Sequence, residues 1–405
     1  MSSAKTQPQL PDSAQRSKAL RFVLVIGILS LFADFTYEGA RGIVGPYMGL
    51  LGASALVISS VTGFGELAGY GLRLLSGQAA DRSQSFWPII VTGYVVQMAA
   101  VPALALTHTW PQAAALVILE RIGKGLRNPP RDALLAHAGQ TLGGYGWVFG
   151  LHQVLDQTGA VLGPLLVSAV LAWRHEFKLA FAMLLVPALI NLSLVLLARK
   201  TYPRPQEFVP VRHAEGMTRS GYDRRFWLYL AAACLVAAGF ADFPLLAFHM
   251  HQQDRFSGLQ VSVAYALAMA TAGGGSLLFG HWYDRWGLRV LLPLTVAGAL
   301  FAPLVFLGGT AAMWLGVALW GVGMGVHESI IPAAVAPMVQ PQQRAGAYGL
   351  FTAGYGLAWF LGSVVIGLLY GVSMAALVVF CLVLQAAALP LLWRVGGARQ
   401  QTSQS

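Results

Sequence analysis

The sequence predicts an all-α polytopic membrane protein: twelve transmembrane helices arranged as two pseudo-symmetric six-helix bundles. Three observations predict it. Of 405 residues, 56% are hydrophobic and only 10% charged, where soluble domains carry about 25% charged residues. Apolar stretches long enough to cross roughly 30 Å of hydrocarbon, about 20 residues each, recur twelve times. The second half of the chain also repeats the first.

The elements follow in order. Residues 1–20 are polar, with Lys5, Arg16 and Lys18, and read as a cytoplasmic N-terminal tail. The apolar run behind them contains acids and has no small-residue cleavage site, so it reads as an uncleaved first span, 21–45, and not as a signal peptide. Spans follow at 54–77, 87–107, 111–134, 145–172 and 178–199, completing a first bundle over 21–199. Segment 200–224, "KTYPRPQEFVPVRHAEGMTRSGYDR", is the one long polar interior stretch and reads as a cytoplasmic linker. Spans at 225–249, 258–281, 288–308, 311–337, 345–371 and 373–394 form a second bundle over 225–394, followed by a cytoplasmic tail at 395–405. Gly, Pro and charge interrupt the pattern most in the fourth, fifth and tenth spans.

Basic residues orient this arrangement. With the N-terminus inside, inner segments and inner helix ends collect 19 of the 26 Lys and Arg. Outer loops hold Arg174, Lys178 and Arg255 only. The asymmetry places both termini in the cytoplasm of a cell whose plasma (inner) membrane holds the chain. The net charge of +10 is therefore a topology signal with attraction to anionic lipid, and nucleic acid is not an expected partner. Cys234 and Cys381 both fall in apolar runs, so neither a disulfide framework nor a zinc site is implied.

Four pairs of motifs carry the repeat. "FADF" at 32–35 recurs at 240–243, an offset of 208. "GQAADR" at 77–82 answers to "GHWYDR" at 280–285, an offset of 203. "GKGLRNPPRDALLA" at 123–136 lies over "GMGVHESIIPAAVA" at 323–336, offset 200, and "YG" at 145–146 with Gly159 matches "YG" at 348–349 with Gly362, offset 203. The order is kept throughout. Two related bundles around a central cavity are the physical basis of alternating access.

At these residues the chain resembles the major facilitator superfamily over nearly its whole length. The loop signature of that family, G-x-x-x-D-R-x-G-R, is met by Gly280, Asp284, Arg285, Gly287 and Arg289. The first half supplies Gly77, Asp81 and Arg82, followed by "SQSFW" where Gly and Arg are expected. Arg121 and Gly125 in "ERIGKG" look like the helix-4 signature. Gly150, Gly159, Gly163 and Pro164 resemble the helix-5 signature of drug–proton antiporters, with "LLVS" in place of its closing glycines. "DFTYEGAR", "GYGLRLLSG" and "ERIGKGLRNPPRDALLAHA" suggest a prokaryotic subgroup without a defined substrate. The resemblance implies that Asp81 and Asp284 help to hold the cytoplasmic side closed, with Gly77, Arg82, Gly280, Arg285 and Arg289 beside them.

Charges inside the spans point to chemistry. Asp34, Glu38 and Arg41 are spaced to share one helix face. Facing lipid, each would cost about 2.5–3.5 kcal/mol, roughly 8–10 kcal/mol together, so they are expected to face the bundle interior. Glu66, Glu120, Arg121, Lys124 and Asp156 join them, and the second half offers Asp242, His327 and Glu328. Glu38 with Arg41, and Glu120 with Lys124 at i, i+4, read either as structural ion pairs or as parts of a coupling site. Asp34, Glu66 and Asp156 have no basic neighbour within a turn of their own helix; a buried carboxylate without a fixed cation holds a proton more readily and can load and release it. Asp34 is the first candidate for proton carrier, Glu66 and Asp156 follow, and Arg121 is the cation that tunes them. Asp242 reads either as a substrate contact or as a satisfied polar site.

Smaller signals complete the picture. "RNPPRD" is expected to break helix 4, leaving Arg127, Arg131 and Asp132 at the cytoplasmic mouth as gate ion pairs or as an interfacial terminus. Gly159 and Gly163, at GxxxG spacing, read either as a face closing on the other half or as ordinary packing glycines. His249 and His251 fall in an outer loop without a third ligand, so no metal is expected, and no cofactor. The resulting expectation is a secondary transporter that acts as a monomer on a small molecule and protons, in export or, alternatively, in uptake or facilitated diffusion. A membrane enzyme would cluster its nucleophiles and ligands at one depth, and a sensor would need a soluble signalling domain that neither linker nor tail has room for.

Overall fold

The structure, a computed structural model, describes residues 13–83, 85–142, 145–203, 222–335, 338–339 and 344–397. Helices α1 (Ser13–Leu50), α2 (Ala55–Ser83), α3 (Phe86–Ala103), α4 (Trp110–Leu142), α5 (Tyr145–Arg174), α6 (Phe177–Met183) and α7 (Leu185–Thr201) make the first half. The second half consists of α8 (Arg224–Ala238), α9 (Phe243–Gln252), α10 (Gly258–Trp286), α11 (Leu291–Ala299), α12 (Phe301–Phe306), α13 (Thr310–Ala333), α14 (Arg344–Val372) and α15 (Met374–Gly397). The pairs α6/α7, α8/α9 and α11/α12 are each one span with an interruption. Among the described residues, eleven spans are long and apolar enough to cross a membrane. The twelfth, α4, has the length, at 33 residues, but carries too many charges to match them in hydropathy. Apolar side chains such as Leu189, Leu196, Leu361 and Val383 remain exposed around the outside, where acyl chains and not water are the solvent.

Packing repeats between the halves. In the first, α1 lies on α5, α2 and α3 on α4, and α3 on α7; in the second, α8 lies on α14 and α15, α10 on α13, and α11 on α15. Glycines set the closest approaches. A Cβ on Gly159 would strike the carbonyl of Leu31, and one on Gly163 the carbonyl of Phe35. Both glycines therefore seat α5 on α1 of their own half. The alternative in which they close on the other half does not hold: without a side chain they admit a backbone, and the backbone that arrives is α1. Pro164 does reach across, its carbonyl accepting from Ser262 Oγ at 2.8 Å.

Three expectations about local structure are corrected. α1 begins at Ser13, eight residues inside the expected polar tail. α4 runs through Pro129 and Pro130 to Leu142 without breaking. Pro129 leaves the Gly125 carbonyl without its intrahelical donor, and Ser76 Oγ from α2 donates to that oxygen at 3.0 Å, a substitution of the kind that lets proline persist in membrane helices. Finally, the seventh span is not continuous: residues 239–242 leave the helix between α8 and α9. Gly239 ends α8, Pro244 stands in the first turn of α9, and the freed Ala241 carbonyl accepts from Trp320 Nε1 at 2.8 Å.

The two halves meet mainly away from the face that bears the termini. A Cβ on Gly45 would strike the Pro244 carbonyl, one on Gly49 would stand 2.6 Å from the Phe248 ring, and one on Gly367 2.8 Å from the Leu56 backbone. Nearer the termini, Tyr70 packs on Tyr355, ring centres 5.7 Å apart, and Gln157 on Gly273. The apolar core follows the same division. One buried cluster spans both halves, whereas a second, built from Phe22, Ile26, Trp87, Tyr94, Leu135 and Val195 among others, belongs to the first half alone. The segment expected as a linker, 200–224, lies mostly outside the described residues.

Candidate functional site

Between the halves, from mid-depth toward the face of the termini, lies a cavity of about 250 Å³. Asp34, Glu38, Arg41, Glu66, Arg121, Lys124, Arg127, Arg131 and Asp156 line it from the first half, and His327 and Glu328 from the second. The charges read from sequence as facing inward do converge. Glu120 and Asp242 sit just behind the wall.

Arg41 is the hub. Its guanidinium lies 3.9 Å from Glu38, 3.3 Å from Glu66 and 3.5 Å from Asp242. Glu38 also accepts from the Tyr265 hydroxyl of the other half, so polar contacts as well as close packing tie α1 to the second bundle. Arg121 holds Glu66 from the other side at 3.2 Å and Glu120 at 3.3 Å. Glu66 is thus clamped between two guanidinium groups, and the expectation that it lacks a fixed cation is wrong. Its partners stand 25 and 55 positions away in the chain, beyond the reach of spacing on one helix. The expected Glu120–Lys124 pair is also absent. Glu120 accepts from Gln97 Nε2 at 2.8 Å because its side of α4 packs on α3, while Lys124 one turn on faces the cavity and donates to the Tyr37 hydroxyl.

Asp34 and Asp156 are held more loosely. Arg127 Nη2 lies 3.6 Å from Asp34, and His152 Nδ1 lies 3.4 Å from Asp156. His152 is an i, i+4 neighbour that carries charge only when protonated, so the reading of Asp156 as unaccompanied needs that amendment. Arg127 is fully buried, donating to Gln97 Oε1 at 2.6 Å and to the Tyr94 hydroxyl at 3.2 Å. It belongs to the interior of the first half and not to a mouth gate, because α4 does not end at the prolines. Arg131 pairs with its neighbour Asp132 at 2.8 Å and donates to Ser30 Oγ at 3.0 Å, which also bonds His152 Nε2 at 2.9 Å. Of the remaining gate candidates, Gly77 faces Pro129, and Arg285 and Arg289 are exposed, the former 5.9 Å from the Trp286 ring centre. The side chains of Asp81, Arg82 and Asp284, and the surroundings of Gly150 and Gly280, lie outside the described residues.

The second half presents a more aromatic wall. Asp242, at the break before α9, accepts from Trp359 Nε1 at 3.1 Å and Ser363 Oγ at 3.4 Å. His327 bonds the Tyr355 hydroxyl and packs against Phe240, ring centres 4.4 Å apart. Glu328 is exposed to the cavity. His249 and His251 are on helix α9 and not in a loop; His249 is buried and 3.0 Å from the Tyr370 hydroxyl. Among the described residues no cluster of three metal-binding side chains occurs.

Sequence reasoning missed Tyr37, Tyr70, Gln153, Gln157 and Tyr355, all of which line the cavity. A signal existed for the first two. Tyr37 stands four residues before Arg41 and Tyr70 four after Glu66, so each shares the face of a charge already placed inside. The break at 239–242 was also marked, by a glycine and a proline five residues apart.

Three comparisons with known proteins bear on the site. The sequence profile of the Major Facilitator Superfamily matches residues 26–336. An uncharacterized protein of Mycobacterium tuberculosis is 38% identical over 382 residues, covering 93% of each chain. Multidrug resistance protein MdtH of Shigella boydii is 24% identical over 376 residues, 90% of this chain and 89% of that one. Among solved structures, a nucleoside transporter NupG variant superposes with a TM-score of 0.72 at 16% identity, over 92% of this chain and 98% of its own; at that identity the likeness shows the fold alone.

Proposed function

The chain belongs to the major facilitator superfamily of membrane transport proteins, and on that premise we propose that it exports a small molecule from the cytoplasm in exchange for protons, acting as a monomer. The cavity between two related bundles, packed shut on one side and open on the other, fits one end-state of a rocking cycle. The basic bias of the loops favours placing the termini, and with them the open side, in the cytoplasm of a cell whose inner membrane carries the protein. Export is favoured over uptake by the relative named for multidrug resistance.

The observation that carries proton coupling is the contrast among three acids. Glu66 has two guanidinium groups within 3.3 Å, an arrangement that fixes a charge. Asp34 has one, at 3.6 Å, and lines the cavity together with Asp156. Asp34, with Asp156 behind it, is the proton-carrying site in this reading, and Arg127 is the cation that tunes it, in the role sequence reasoning gave to Arg121.

Reconstitution in proteoliposomes tests it. A compound library is screened for substrates that dissipate a preformed pH gradient through the wild-type protein. Asp34→Asn should fold and still exchange substrate down its gradient, yet lose the coupled proton flux by at least tenfold, the scale of removing an essential proton-transfer group. An unaltered flux would overturn the assignment, and acidification of the substrate-receiving side would turn export into symport.

A further inference from the structure

Six cationic side chains line the cavity, and four of them meet carboxylates: Arg41, Arg121, Arg127 and Arg131. Arg73 and Lys124 have no carboxylate ion pair among the described residues. Each is braced instead by an aromatic face of the first half. Arg73 Cζ lies 4.8 Å from the ring centre of Tyr70, and Lys124 Nζ 4.0 Å from that of Tyr37. Arg73 Nε is buried with no hydrogen-bond partner. Across the cavity on α13, Glu328 has no ion pair either among the described residues, and it lines the same cavity as Arg73 and Lys124.

A cation or a carboxylate left unmatched at this depth is costly, and an aromatic face offsets only part of that cost. Both unmatched cations belong to one bundle and the unmatched carboxylate to the other. The same cavity is lined by Tyr70, Tyr355 and Phe351 in a contacting series, with centre distances of 5.7 and 5.8 Å. Such a space is complementary to a molecule with an anionic end, a flat or apolar body and a cationic end. A ligand with one charge leaves the opposite wall bare when the bundles close on it. A ligand with both satisfies the two walls together and removes the cost of bringing them near.

We infer that the transported molecule is a zwitterion: its oxyanion, carboxylate or phosphate, binds Arg73 and Lys124, and its cationic nitrogen binds Glu328. The assignment rests on the transport reading above but not on proton coupling or on direction.

The test is a binding measurement on the full-length protein in detergent, read as thermal stabilisation. The probes are straight-chain ω-amino acids from aminobutyrate to aminooctanoate, alkanoates and alkylamines of the same lengths, and ω-aminoalkylphosphonates to separate carboxylate from phosphate recognition. At least one zwitterion should bind about tenfold more tightly than the acid and the amine of its own length. Arg73→Gln and Lys124→Gln should each reduce it to the level of the amine, Glu328→Gln to that of the acid, and Arg73→Lys should retain the preference. The inference is overturned if a singly charged probe equals the zwitterion, if no probe of any class stabilises the protein, or if the three charge-removing variants leave the preference intact. Because turnover is not measured, failure here leaves the proton-flux experiment untouched, and failure there leaves this one standing.

Discussion

Ser76 and Ser276 occupy equivalent places in the two bundles, and each donates to a glycine carbonyl, Gly125 O at 3.0 Å and Gly325 O at 3.4 Å. Close to those contacts, Gly125 would press a Cβ to 2.7 Å from the Gly69 carbonyl, and Gly325 to 2.7 Å from that of Ala272. Two residues further along, the likeness ends. The first half places Arg127, hydrogen-bonded to Tyr94 and Gln97 and 3.6 Å from Asp34; the second places His327, bonded to Tyr355 and set among Phe240 and Trp359. Where Glu120 meets Arg121, the second half has Trp320 against a backbone carbonyl. Backbone approach is therefore duplicated and charge is not. The two bundles share what a helix pair needs to pack in lipid, and among the described residues most of the ionic network belongs to the first, with Asp242 joining it from the second.

This comparison makes graded predictions. The largest difference is expected at the unlike pair. Arg127→Met strands Asp34 and Gln97 in a buried site and should cost about 3–5 kcal/mol of stability. His327→Leu loses one hydrogen bond and should cost about 1 kcal/mol. Chemical unfolding in detergent measures both, and equal losses would mean that the ionic network is not what holds the first half. Next comes a pair expected to agree. Gly159→Ala and Gly362→Ala would each drive a methyl into a backbone carbonyl, of Leu31 and of Ala238, and each should cost about 1–3 kcal/mol; a clearly unequal pair would break the symmetry of packing. The smallest effect sharpens the role of the prolines. Ser76→Ala should cost about 1 kcal/mol and Ser276→Ala only a fraction of that, since Pro129 denies Gly125 its helical donor while Ser329 can still supply Gly325. Matched melting temperatures would show that the serine does not replace the missing donor.

Legibility in the sequence divided along the same line. The twelve spans and the repeat were visible because lipid demands about 20 apolar residues for every crossing and because close helix contact leaves glycine no substitute. The inward direction of Asp34, Glu38 and Arg41 was visible because lipid penalises the alternative. Which acid meets which base was not visible. Spacing on one helix suggested Glu120 with Lys124, whereas the partners are Glu120 with Arg121 and Gln97, and Lys124 with Tyr37. Glu66 looked unaccompanied for the same reason. Asp156 had a partner in plain view at His152, whose charge depends on its surroundings.

From its residues alone, then, this chain determined that it is a twelve-span membrane protein, which faces carry charge, and that the charge is concentrated in one half. Those properties follow from transfer into hydrocarbon, a cost each residue incurs regardless of its neighbours. The tertiary structure alone decided that Glu66 is clamped, that Asp34 is loosely held, that α5 rests on α1 of its own bundle, and that Arg73 and Lys124 face the cavity with no carboxylate at salt-bridge distance among the described residues. These depend on distances between helices far apart in sequence, and over a few ångströms in a low-dielectric interior such distances decide whether a charge is neutralised or left available.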